Sequence, residues 1–130
     1  MDYIASYEAH LADQGYLILK FFLNVSQEEQ KKRFLSRMDE PNKNWKFSLG
    51  DMKERQLWDK YMDAYSEAIK HTSTKQAPWI VVPADDKDYL RASVSSHVRL
   101  AMEKLSLNYP DADASIVEDI AEARRMFNDE

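Results

Sequence analysis

The spacing of apolar positions changes several times along the chain, and each change predicts an element. From Tyr3 to Asp13, Ile4, Tyr7 and Leu11 recur at three- and four-residue steps, which predicts a helix. Gly15 then stands where a left-handed residue commonly closes one. Tyr16 to Leu23 is apolar on both alternating faces and predicts a strand covered on both sides, as in a parallel sheet. Lys20 interrupts it. A lysine in such a strand is costly unless it sits near the strand end or meets an anion.

Ser26 with Glu29 three residues on is a capping box, so a helix is expected from there. Phe34, Leu35 and Met38 form its apolar side, while Arg33 and Arg37 share another face at i,i+4 spacing. Pro41 ends it. Turn residues surround Trp45 and Phe47, and Ser48 with Asp51 forms a second N-cap pattern. A single helix is expected from there to about His71, with Trp58, Tyr61, Met62, Tyr65 and Ile69 as its apolar stripe. Lys53 and Arg55 lie off that stripe.

After a polar connector, Pro78 and Pro83 bracket a short strand, Trp79 to Val82. Asp85 and Asp86 precede a helix striped by Leu90, Val94, Val98, Ala101, Met102 and Leu105. Beyond Pro110, Ser115 with Glu118 starts a final acidic helix with Ile116, Ile120 and Phe127 on one side. Two strands joined by a helical crossover form a parallel pair. Two strands alone leave both sheet edges and much of both faces uncovered. The chain is therefore expected to be a partial α/β domain, completed by further chain or by another copy. Its sections are 1–25 (helix and strand), 26–71 (helical excursion), 72–110 (second strand and helix) and 111–130 (acidic helix).

Composition narrows the function. Apolar residues make up 44% and charged residues 32% of 130, an ordinary globular mixture. The chain has no cysteine, which excludes disulfides and thiolate zinc sites and fits a reducing compartment. The polar, acidic N-terminus has no signal-peptide pattern, and the longest apolar run is too short to span a bilayer. A cytoplasmic protein without membrane contact is expected. Residues 111–130 hold seven acidic and two basic side chains and so carry the whole net charge of −5. Without a global positive field, general nucleic-acid binding is disfavoured. Residues 27–60 nevertheless carry nine basic against seven acidic groups, enough for a local anion site.

Most catalytic patterns are absent. There is no glycine-rich phosphate loop, the three histidines lack metal-ligand spacing, and no serine sits in a nucleophile elbow. Asp85-Asp86 could hold a metal, but a helix cap is the simpler reading. The positive signal is a strand, a capping box and a helix bearing Arg33 and Arg37, then a second basic helix. Arginines suit phosphoryl transfer because they stay charged and present forked donors to a group over which charge spreads.

The run from LKFFLNVSQEEQKKRFLSRMDEPNKNWKFS to LWDKYMDAYSEAI, and later TSTKQAPWIVVPADDKDY, closely resembles the polyphosphate kinase 2 family. The likeness extends from about Ile4 to the EARRMF segment and is strongest in WKFS and APWIVVPAD. It is greatest to the branch thought to phosphorylate both nucleoside mono- and diphosphates. The resemblance implies a P-loop kinase fold and magnesium-dependent transfer of phosphoryl groups between inorganic polyphosphate and a nucleotide. The two strands would be the fourth and fifth of the core, and the helices between them a lid over the phosphates. Arg37 matches a lid arginine regarded as catalytic. Lys20 and Arg33 match basic positions facing the phosphate channel, and Lys46, Lys53 and Arg55 fall where they could line the polyphosphate path.

By the same resemblance, the family's P-loop and the strand with its magnesium-serving aspartate lie upstream of Met1. The isolated chain is accordingly expected to be inactive or nearly so. Its partners would be polyphosphate, a nucleotide, and either the N-terminal half or further copies of itself. The alternative is a non-catalytic phosphate-binding or oligomerisation module built on the same fold.

Overall fold

The computed structural model describes residues 1–128. Its elements run α1 (Asp2–Asp13), β1 (Lys20–Asn24), α2 (Gln27–Asp39), a 3-10 turn (Pro41–Lys46), α3 (Leu49–Arg55), α4 (Trp58–Thr72), β2 (Trp79–Pro83), α5 (Lys87–Lys104) and α6 (Ala114–Asn128). The fold class is the expected one: mostly helical α/β, with two parallel strands paired from Lys20↔Trp79 to Asn24↔Pro83.

The two faces of β1 are covered by different helices, as its unbroken apolar run predicts. Successive side chains point to opposite faces. Phe21 meets His97 of α5 edge-on at 6.0 Å, and Phe22 meets Tyr65 of α4 at 5.0 Å. Val82 is the largest side chain fully withdrawn from solvent, and Ala77 and Ala84 beside it are equally buried. Val81 on the neighbouring face stays half-open.

Three boundaries differ from expectation. The strand starts at Lys20, not Tyr16, because pairing begins only where Trp79 supplies a partner, and Tyr16 and Leu17 remain exposed. The single helix expected from Ser48 to His71 is broken at Gln56–Leu57, where Leu57 leaves helical geometry (φ −94°, ψ 18°). The last helix begins one residue before Ser115, with the Asp113 carbonyl accepting from the Val117 N–H. No residue of α6 is buried, so its apolar side does not pack on the body.

The capping box is half formed. Ser26 Oγ accepts from the Glu29 N–H at 3.1 Å, but the Ser26 N–H donates to Asp85 Oδ1 at 2.7 Å and not to Glu29. Glu29 turns instead to Arg33. This exchange ties the start of α2 to the segment that follows β2. Gly15, at φ +87°, occupies the left-handed position after α1.

Candidate phosphate-binding site

A groove of about 440 Å³ opens beside α2, beyond the carboxyl end of β2. Ligands of open parallel sheets bind outside the carboxyl ends of the strands, so the location itself is informative. Six basic side chains line the groove (Lys32, Arg33, Arg37, Lys43, Lys46 and Lys87) against a single carboxylate, Glu29. Three elements bring them together: α2, the 3-10 turn folded back on it, and the first turn of α5. Asn44 fixes the turn by donating to the Arg37 and Met38 carbonyls at 2.8 and 2.9 Å.

The arginines of α2 are held differently. Arg33 donates through Nε to Glu29 Oε1 at 2.9 Å and through Nη2 to the carbonyls of Ala84 and Asp85 at 2.8 and 3.2 Å. Most of its donors are therefore spent on the chain itself. Arg37 has one distant ion partner, Asp51 Oδ2 at 3.8 Å, and its guanidinium lies 5.3 Å from the Phe34 ring. It is the arginine with donors to offer.

Lys43 is partly neutralised by Glu40 at 2.5 Å and donates to Ser36 Oγ at 3.0 Å. The ammonium of Lys43 and the Ser36 hydroxyl hold the Glu40 carboxyl below its ordinary range. Lys46 lies over the exposed Trp45 ring, 4.9 Å from its centroid. Among the described residues, Lys32, Lys46 and Lys87 make no ion pair. Charge uncompensated by the protein attracts anions most strongly where neighbouring cations add their fields.

Of the six residues singled out from sequence, Arg33, Arg37 and Lys46 meet in this groove. Lys20 does not. It stands at the amino end of β1, about 13 Å of strand away from the carboxyl end. Its ammonium binds Glu8 Oε2 and the Thr72 carbonyl, both at 2.6 Å, and lies 5.3 Å from the Trp79 ring. The anion it meets is a carboxylate of α1. Arg55 lines a separate groove with Trp58 and donates to Gln27 O at 3.0 Å and Gln30 Oε1 at 2.5 Å. Lys53 is exposed and lines neither groove.

Sequence reading missed Lys32, Ser36, Lys43 and Lys87. Lys32 and Lys43 fall within the locally basic stretch 27–60, which was the available signal. Lys87 is fifty residues from Arg37 and had none; only the parallel crossover brings it there.

Asp85 and Asp86 act as caps. Asp86 Oδ1 accepts from the Asp88 and Tyr89 N–H groups at 2.8 and 3.0 Å, and Asp85 accepts from Ser26. These backbone donors hold both carboxyls below their ordinary range. Among the described residues no three His, Asp or Glu side chains cluster to hold a metal ion. The described residues do not fit a magnesium site.

Fold and groove thus define a parallel α/β chain whose helical excursion carries a cationic site at the strands' carboxyl ends. The sequence profile of polyphosphate kinase 2 matches residues 1–110, and the chain belongs to that family. The ADP-polyphosphate phosphotransferase of Rhodopseudomonas palustris is 47% identical over 124 residues, covering 95% of this chain and 43% of its own. The crystal structure of polyphosphate kinase 2 from Arthrobacter aurescens TC1 superposes with a TM-score of 0.89 at 45% identity, covering 95% of this chain and 44% of that one. An uncharacterized protein of Leptolyngbya boryana is 46% identical over 98% of this chain and 93% of its own. The chain therefore spans less than half of the phosphotransferase it matches and nearly all of the Leptolyngbya protein. No helix among the described residues is long and apolar enough to cross a membrane.

Proposed function

We propose that this chain supplies the lid and carboxyl-terminal half of a phosphotransferase that moves a phosphoryl group between inorganic polyphosphate and a nucleoside mono- or diphosphate. The observation that carries the reading is the cationic groove, in which Arg37 retains donors beside three lysines that make no ion pair among the described residues. A polyanionic chain would lie along Lys32, Lys43, Lys46 and Lys87. Arg37 would stabilise the charge that spreads over the migrating phosphoryl group. Arg33 would shape the groove by anchoring α2, with its field added to that of Arg37.

Magnesium enters this reading as an ion with ligands outside the chain, and no residue here is assigned to it. The phosphate cradle and acceptor site likewise belong to a P-loop half, joined to this chain or associating with it. The open edges of the two-stranded sheet are where such a half, or a second copy, would pair.

The test has two parts. Long-chain polyphosphate should bind this chain with an affinity that falls steeply with salt, as counterion release requires, and Arg37→Ala should weaken it. Joined behind the N-terminal half of the Rhodopseudomonas relative, the chain should form ATP from ADP and polyphosphate with magnesium. Assembly and binding without turnover would instead support a non-catalytic phosphate-binding module.

A further inference from the structure

Of the arginines on α2 and α3, Arg33 and Arg55 are engaged by the chain. Arg33 donates to Glu29 and to the carbonyls of Ala84 and Asp85, and Arg55 donates to Gln27 O and Gln30 Oε1. The Arg37 side chain is held without a hydrogen bond among the described residues. Its guanidinium lies 5.3 Å from the Phe34 ring, and Nη1 stands 3.8 Å from Asp51 Oδ2. That separation is too long for a hydrogen bond and short enough for opposite charges to attract. The carboxylate therefore offsets the charge of Arg37 and leaves its donors unused.

Asp51 reaches Arg37 from another element. It sits in the first turn of α3, where Ser48 Oγ accepts from the Gly50 N–H. Negative charge is favoured at a helix amino end, so the carboxylate also has a structural use there. α3 runs back along α2, with Asp51 beside Arg37 at one end and Arg55 tied to Gln27 and Gln30 at the other. Glu54 accepts from the Tyr61 hydroxyl at 2.5 Å and ties α3 to α4. These fastenings set Asp51 against Arg37 from outside the cationic groove, which Arg37 lines and Asp51 does not. Both side chains are open to solvent, 36% and 46% exposed, so an arriving anion can reach the guanidinium.

Such an anion must displace a partner already in place. A tethered carboxylate acts at a high effective concentration, and a monoanion brings Arg37 no more charge than Asp51 does. A phosphate chain brings more. It also meets Lys32, Lys46 and Lys87 in the same groove, which make no ion pair among the described residues. Small monoanions lose this competition and a phosphate chain wins it, and specificity is such a difference of affinities.

We propose that Asp51 is a tethered counterion for Arg37, a specificity-determining residue that keeps monoanions off the arginine and yields it to a multiply charged phosphate. This rests on the cationic-groove reading and assigns control of that groove to a residue outside it.

Calorimetric titration with tripolyphosphate at several chloride concentrations tests the proposal on the chain, Asp51→Asn, Arg37→Ala and the double variant. At low chloride Asp51→Asn should bind about threefold more tightly, the scale of an exposed ion pair. Its affinity should then fall more steeply as chloride rises, because chloride now competes for Arg37. Both effects should vanish in the Arg37→Ala background. A carboxylate acting only through the start of α3, or on the groove at large, would show the same effect with and without Arg37. If Asp51→Asn binds no more tightly than the parent chain, or if its gain persists without Arg37, the proposal is overturned and the cationic groove stands. If neither the parent chain nor Asp51→Asn binds tripolyphosphate while both melt cooperatively, the groove reading falls and the proposal with it. Asp51→Ser, which keeps a side chain suited to a helix start, repeats the test should Asp51→Asn not melt cooperatively.

Discussion

Arg33 and Arg37 are one helical turn apart and look equivalent in sequence, yet their surroundings give them different work. Arg33→Ala removes donors to two backbone carbonyls at the end of β2. It should lower stability by about 2 kcal/mol, since a charged donor's hydrogen bonds contribute roughly that much, and thermal unfolding would register the loss. Arg37→Ala should leave the melting temperature nearly unchanged. In a complete enzyme it should cut turnover roughly a hundredfold, about 3 kcal/mol of transition-state stabilisation. Lys20 completes the contrast. Its side chain and that of Glu8 are only 10% and 14% exposed, so Lys20→Met strands a shielded carboxylate and should cost about 3 kcal/mol. Polyphosphate affinity, measured in parallel, should not follow.

At the scale of elements, the joint between α2 and the β2–α5 connection is the informative one. Asp85 accepts from the Ser26 N–H, and this hydrogen bond, then Arg33 and Lys32 nearby, depresses its carboxyl. A depressed folded-state value means that the contribution to stability is full above the ordinary carboxylate range. It is lost as pH falls through the lower folded-state value. Asp85→Asn should therefore flatten the acid limb of a stability–pH curve, with a full and constant loss in the neutral region that vanishes in acid. Helix types, the parallel strands and their order were legible in sequence because periodicity and caps are local. Strand extent was not, since Tyr16 and Leu17 are as apolar as Phe21 and Phe22 but find no partner strand. The break at Gln56–Leu57 carries no glycine or proline to announce it. The cationic site was half legible: Arg33, Arg37 and Lys46 share one basic stretch, whereas Lys87 arrives through topology and Lys20 is captured by α1.

Taken whole, the molecule has a body and an appendage. α1, α4 and α5 pack around two strands, while residues 111–128 bury nothing. Removing residues 111–130 should leave the melting transition in place, because an isolated amphipathic helix of this length is marginal in water; a shift of several degrees would show that α6 does pack. The stitching of Ser26 and Arg33 to residues 84–85 has a mechanical consequence. The first turns of α2 move with the sheet, so any closing of the excursion over a bound anion must pivot beyond Arg33, at Glu40–Pro41 and Gln56–Leu57. Hydrogen exchange should then show a fixed jaw through residue 33 and a faster one from 41 to 57, slowed when polyphosphate is added.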